Sequence, residues 1–380
     1  MTRPAILLFI EYYLPGYKFG GPIQSVANLV SLLKEHYAIY IVTRDRDYRD
    51  TVAYPGISVN QWLVRDGYQI QYLSPSNTTI RHIRALLRER QYDHIYTNSL
   101  FAAFTRQLLL LSFLTGQKIV IAPRGELHPG AIGLKSYKKR PFVWLTRWLP
   151  KDRVIWHATD QEELLAIRHH FVNWRVQYVP VRFAPDTPRL LKQRTAYAKK
   201  PGLVRLVFIS RITKKKGIHF LLELLARHPN ERGQVVLDIY GPVVDDAYCR
   251  DCQALIRRMP AHCKVTYREA ISHELVNETV VRYDFFILPT LGENFGHAIF
   301  ESLSAGIPVM ISDKTPWREL EVQQAGWDVP LEDSVWTKVL AQGIQMDNQT
   351  YAHWSARAVE VANTYIRDGQ FEQSYRSLFS

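Results

Sequence analysis

The chain has 380 residues, 47% of them apolar, which is length enough for two domains with a core each. Its apolar runs are too short to span a membrane, and three cysteines cannot form a fully paired disulfide framework. A transmembrane helix and a disulfide scaffold are therefore not expected, and a reducing cytoplasm is. Of a formal net charge of +12, residues 1–190 carry +11, a field that attracts nucleic acid, anionic lipid or polyphosphate ligands without choosing among them.

In chain order, short apolar runs at 5–10, 38–43, 94–97, 118–122 and 154–159 alternate with helical patterns, and the alternation returns at 203–209, 235–240, 264–267, 284–288 and 309–312. This predicts two parallel sheets wound with helices, whose ligands sit beyond the carboxyl ends of the strands. After the first strand come Phe19, Gly20, Gly21 and Pro22. Pro22 suits the first helical position, Ile23, Val26, Val30 and Leu33 give that helix a buried face, and the two glycines leave room for an anion at its start. A tight turn is the competing reading, and the dinucleotide fingerprint G-x-G-x-x-G is missing. Asp45, Arg46 and Asp47 follow the second strand. Arg44, Arg46 and Arg49 offset a cation site, so the triplet reads as a solvated loop and no metal ligand is assigned.

The loop from Pro123 to Pro129 is the most unusual of the first half. The planar fork of Arg124 suits a phosphate or an acceptor carboxylate, and His128 lies nearby; a structural role stands against both. From 135 to 153, Lys138, Lys139, Arg140 and Arg147 alternate with Phe142, Trp144 and Trp148. Three readings fit: a membrane-surface or lipid-acceptor segment, a nucleic-acid patch, or a basic helix docking its aromatics into the core. Residues 186–202 have little apolar periodicity and read as the domain connection. Arg211, Lys216 and Gly217 follow the strand at 203–209; Arg211 can grip a phosphate and Lys216 can add a point charge, whereas Lys214 and Lys215 read as solvated. Cys249, Cys252, His262 and Cys263 do not have zinc-finger spacing, and the cysteines read as ordinary helix-surface residues.

At 285–308 a buried-strand run leads into a polar loop and then a helix with Ala298, Ile299, Phe300 and Leu303 at helical spacing, stopped by Gly306 and Pro308. Glu293 in the loop and Glu301 in the helix aim at one pocket beside the helix N-terminus. There the backbone N–H groups of Phe295, Gly296 and His297 suit phosphate or sugar oxygens, and the carboxylates can accept from vicinal hydroxyls. Two solvated carboxylates are the competing reading.

This stretch resembles the Glu-x7-Glu signature of retaining glycosyltransferases of family 4, among the glycosyl transferases group 1. The loop at 123–129 and the segment from Thr315 to Trp327 resemble the branch that builds bacterial surface polysaccharides. The resemblance implies the GT-B fold, two Rossmann-like doubly wound parallel-sheet α/β domains facing across a cleft. Residues 1–188 would be the acceptor-side domain, 189–355 the nucleotide-sugar domain, and 356–380 a helical segment crossing back. It places Glu293 on the donor sugar, Glu301 on the ribose, Arg211 and Lys216 on the donor diphosphate, and Gly20 and Gly21 facing that diphosphate. Many members have a His where Arg124 stands, so this chain departs from the family pattern there. The implied activity is metal-independent, cofactor-free retaining transfer from a UDP- or GDP-sugar to a glycan or lipid-linked acceptor, at the inner face of the cytoplasmic membrane and without nucleic acid. Two rivals stand beside it: an epimerase or phosphorylase on the same fold, and a non-catalytic basic module for which Glu293, Arg211 and Lys216 would be dispensable.

Overall fold

The computed structural model describes residues 3–128, 132–133, 136–180, 198–229, 231, 233–367 and 371–379. It divides into two units, Met1–Asp186 with Gln370–Ser380, and Thr187–Gly369. Most of the expected connection at 186–202 lies outside the described residues.

The first unit is built on one eight-stranded sheet. Its strands are β1 (Ala5–Phe9), β2 (Ala38–Arg44), β3 (Trp62–Arg65), β4 (Tyr68–Leu73), β5 (His94–Asn98), β6 (Ile119–Ala122), β7 (Val154–Ala158) and β8 (Val176–Tyr178), in the order β3-β4-β2-β1-β5-β6-β7-β8. Every pairing is parallel except β3 with β4, an edge hairpin that corrects the expectation of a purely parallel sheet. Apolar clusters cover both faces, which is why central strands such as β6 are buried along their whole length. The helices are α1 (Gly21–Leu33), α2 (Ile80–Glu89), α3 (Ala103–Thr115), α4 (Ser136–Thr146) and α5 (Gln161–His170). Side-chain caps fix two helix starts, Thr79 accepting from His82 N and Asp160 from Glu163 N.

The second unit repeats the plan with six strands, all parallel: β9 (Leu203–Ile209), β10 (Gln234–Tyr240), β11 (Cys263–Arg268), β12 (Phe285–Leu288), β13 (Val309–Ser312) and β14 (Gly326–Val329), ordered β11-β10-β9-β12-β13-β14. Its helices are α6 (Ile218–Ala226), α7 (Asp246–Ile256), α8 (His273–Val280), α9 (His297–Ser304), α10 (Asp333–Gln345) and α11 (Asn348–Arg367). Helix α11 stays with this unit: Tyr351 OH donates to Asp284 O at 2.8 Å and Ser355 Oγ to Gly306 O at 2.5 Å. Only 370–380 count with the first unit, where α12 (Phe371–Arg376) and the following turn bury Tyr375, Leu378 and Phe379 against Tyr37 and Tyr96.

Two readings of single segments are corrected by burial. Asp45 and Asp47 are 3% and 4% exposed, not solvated. Asp47 accepts from the backbone of Tyr17 (2.7 Å), Lys18 (3.0 Å) and Tyr48 (2.7 Å), so it shapes the loop that leads to α1. Cys249, Cys252 and Cys263 are free and buried, filling the core as small apolar groups instead of lying on a helix surface.

Candidate active site

In a doubly wound sheet the crevice opens where the strand order reverses, and in the second unit that point lies between β9 and β12. The loops leaving these two strands carry Arg211 and Lys216 on one side and Glu293 on the other. After β9 the chain makes a 3-10 turn, Lys214–Lys216, and passes through Gly217 (φ 73°) into α6. A Cβ at Gly217 would sit 1.8 Å from the carbonyl oxygen of Pro289, so only glycine lets the two loops close on each other. Lys215 O then accepts from Leu291 N at 2.7 Å and Thr290 Oγ1 at 3.1 Å, tying the loops together, while Glu293 N donates to Lys314 O at 2.9 Å.

The tie brings the Lys216 ammonium onto the Glu293 carboxylate in a direct ion pair, with side chains 8% and 20% exposed. Burial alone would push the Glu293 carboxyl up. Lys216, with Lys215 and Arg211 behind it, outweighs burial and holds it below the ordinary carboxylate value. Burial pulls Lys216 below the ordinary lysine value and Arg211 adds to that, against the opposing pull of Glu293. Lys214 and Lys215 are exposed, as expected.

Glu301 lies on α9 and is 7% exposed, which removes the solvated reading; His273 Nδ1, at the start of α8, stands 3.1 Å from its Oε1. Gly296 opens α9 in the left-handed region, and a Cβ there would meet Ile299 and Glu293 side-chain atoms at 2.7 and 3.2 Å. Phe295 contributes backbone only: its ring is buried among His297, Phe300, Trp317 and Tyr365, and its carbonyl accepts from Trp317 Nε1 at 2.6 Å. Trp317 thereby braces the turn that starts α9.

Residues 191–332 match the family model described as glycosyl transferases group 1. The second unit carries a group 1 glycosyltransferase domain. A 105-residue stretch is 24% identical to the GtfA subunit of the UDP-N-acetylglucosamine–peptide N-acetylglucosaminyltransferase of Streptococcus pneumoniae, covering 28% of this chain and 20% of that protein. Anabaena Alr3699/HepE, solved with UDP and glucose, superposes at TM-score 0.71 with 16% identity over 99% of both chains. Sucrose-phosphate synthase of Thermosynechococcus elongatus does so at 0.70, with 16% identity over 99% of both chains. WaaG, a glycosyltransferase involved in lipopolysaccharide biosynthesis, follows at 0.67, with 14% identity over 98% of both. The fold is GT-B.

Outside the group 1 domain, Gly20, Gly21, Arg124 and His128 all belong to the first unit, at the carboxyl ends of its strands. Gly20 (φ 74°) precedes α1, whose first turn holds no acid, and Gly21 is exposed there. Arg124 (φ 57°) and Gly125 (φ 75°) are the central residues of a turn after β6 closed by Glu126 N to Pro123 O, 3.4 Å. Arg124 turns inward, its Nε donating to Asn98 Oδ1 at 2.6 Å and its Nη2 to Tyr96 OH at 3.2 Å. His128 faces elsewhere, 4.0 Å from Glu162. Helix α4 settles part of the basic-aromatic question. Val143 and Thr146 are buried, but Tyr137, Trp144, Leu145 and Trp148 are 71%, 55%, 58% and 71% exposed, so the core-docking reading fails for them.

The sequence reading missed the pairing of Lys216 with Glu293, the His273–Glu301 contact, and Asn98, Tyr96 and His157 behind Arg124. Lys216 and Glu293 stand 77 residues apart, and no spacing rule reaches that far.

Proposed function

We propose that the chain transfers a sugar from a nucleotide-diphosphate sugar, a UDP- or GDP-sugar, to a glycan or lipid-linked acceptor, with retention of anomeric configuration and without a metal. The observation that carries this is the buried Lys216–Glu293 pair beside Arg211 at the strand-order reversal of a group 1 domain. Breaking the anomeric bond to a diphosphate puts growing negative charge on the leaving phosphate. Arg211 and Lys216 are fixed cations that can take that charge, and the backbone N–H groups at the start of α9 add a positive dipole end. Glu293, ionised at neutral pH, accepts hydrogen bonds from the donor sugar while it holds Lys216 in place. Glu301, oriented by His273, accepts from the ribose hydroxyls. Alr3699/HepE, whose structures hold UDP and UDP-glucose, makes a UDP-sugar the first donor to try.

The acceptor side rests on the first unit, whose sequence half holds nearly all the net positive charge. Exposed Trp144, Trp148 and Tyr137 stand on α4 and the turn after it, among Lys138, Arg140 and Arg147. Basic groups interleaved with interfacial aromatics suit an anionic lipid surface, and hence a lipid-linked acceptor of bacterial surface-polysaccharide synthesis on the inner face of the membrane. Among the described residues no helix is long and apolar enough to cross a membrane, so this contact would be peripheral.

Thermal shift with UDP, GDP, ADP and dTDP, with and without magnesium, tests the donor site, since a ligand bound to the native state raises its melting point. Selective stabilisation by UDP or GDP in the absence of metal is expected. No shift with any diphosphate, or a shift only with magnesium, overturns the reading as stated.

A further inference from the structure

The first unit holds a charge that its described residues leave unanswered. Arg124 has three nitrogens: Nε donates to Asn98 Oδ1, Nη2 donates to Tyr96 OH, and Nη1 is buried with no partner among the described residues. Asn98, 2% exposed at the carboxyl end of β5, uses its Oδ1 for Arg124 and leaves its Nδ2 buried and likewise without a partner. The amide orientation follows from that bond, because only the oxygen can accept from Nε. Two donor groups of one hydrogen-bonded pair are thus unfilled, and one of them belongs to a delocalised guanidinium cation.

Among the described residues no acid pairs with that charge. Glu163 accepts from Gly125 N at 2.6 Å with one oxygen and from Thr159 N at 2.7 Å with the other. Glu126 accepts from Ser99 Oγ at 2.7 Å and Phe101 N at 3.0 Å. Both hold backbone, and so fix the turn that presents Arg124. Behind it a neutral relay runs inward: Tyr96 OH to His157 Nδ1 at 3.0 Å, and His157 Nε2 to Val179 O at 2.8 Å. Burial, with the Arg124 charge adding to it, lowers the His157 pKa to about 3, so the imidazole is neutral, donates through Nε2 and accepts from Tyr96.

A half-buried guanidinium held by neutral groups, with its remaining donor and an amide N–H2 both unfilled, is completed by an anionic acceptor. A neutral hydroxyl would leave the charge uncompensated. The geometry points to Arg124 and Asn98 as a subsite for an oxyanion, a carboxylate or a phosphate, carried by the substrate of the first unit. That the carrier is a sugar rests on the proposed transferase function; the oxyanion preference rests on the first unit alone.

The test is calorimetric titration of the full chain with methyl glucuronide, glucose 1-phosphate and methyl glucoside, with and without saturating UDP. At least one charged sugar is expected to bind about tenfold or more tightly than the neutral one, and the tighter of the two names the anion. Arg124→Met and Asn98→Ala should each erase that preference while UDP affinity stays unchanged. Arg124→Lys, which keeps the charge and loses the fork, should retain only part of it and serves if the Met variant fails to fold. Equal affinity for charged and neutral sugars, or a preference that survives in Arg124→Met, overturns the subsite. If UDP does not bind while the Arg124-dependent preference persists, the transferase reading falls and the subsite stands.

Discussion

Each unit presents a cation at the carboxyl ends of its strands, and the two are handled in opposite ways. Lys216 of the second unit is buried against Glu293 and compensated within the fold. Among the described residues, Arg124 of the first unit meets an amide oxygen and a phenol and no acid. The pair explains how the second unit keeps a buried ammonium at all, since an isolated buried charge would lose its proton or destabilise the fold. The absence of a described carboxylate beside Arg124 is what makes it a receptor. A neighbouring acid, more than burial itself, separates a resting charge pair from a charge that awaits a ligand.

The largest expected effect is on chemistry. Arg211→Ala should lower turnover by about 10²- to 10³-fold, the scale of removing one preorganised group from a developing anion. A steady-state assay with the donor identified by thermal shift reads it directly, and full activity would exclude a leaving-group role for Arg211. Next in size is an attempt to make the second unit resemble the first. Glu293→Gln leaves Lys216 buried without its acid and should cost about 3 kcal/mol of unfolding free energy near pH 7, read by denaturant titration. Glu293 is held below the ordinary carboxylate value of 4.5, so its contribution is fully present above that pH and fades as pH falls through the lower folded value. The substitution also removes the one group that raises the Lys216 pKa. The variant's deficit should therefore shrink toward pH 10, as the buried amine becomes neutral. A deficit that is flat in pH would show that the pair is not what stabilises these loops.

Smaller effects sharpen the contrast. Glu301→Ala should weaken UDP binding by about tenfold, the worth of a hydrogen bond to a charged group, and unchanged calorimetric affinity would remove the ribose contact. Replacing Lys138, Lys139 and Arg140 with Ser should reduce sedimentation with anionic vesicles several-fold. Equal pelleting would leave the exposed Trp144 and Trp148 without a lipid partner.

Much of this was readable from sequence where the signal is local. The strand runs at 203–209 and 309–312 coincide with β9 and β13, and the turn residues Gly217 and Gly296 sit where the chain needs positive φ. Four strands were missed. Among them β3 and β4 flank Asp66 and Gly67, a hairpin signal that alternation around Trp62 and Tyr68 could have supported. The β8 and β14 strands are too short and mixed to show a period.

Sequence determined the family signal and the two-sheet plan, and it singled out Arg211, Lys216, Glu293 and Glu301 as candidates, because strand periodicity, loop chemistry and motif spacing act over a few residues. Tertiary structure alone decided which charges meet. Lys216 reaches Glu293 because Gly217 lets two loops 77 residues apart close at the reversal of the strand order. Arg124 reaches Asn98 because β5 and β6 are neighbours in the sheet, and burial depends on what the fold places beside a residue, which no local pattern encodes.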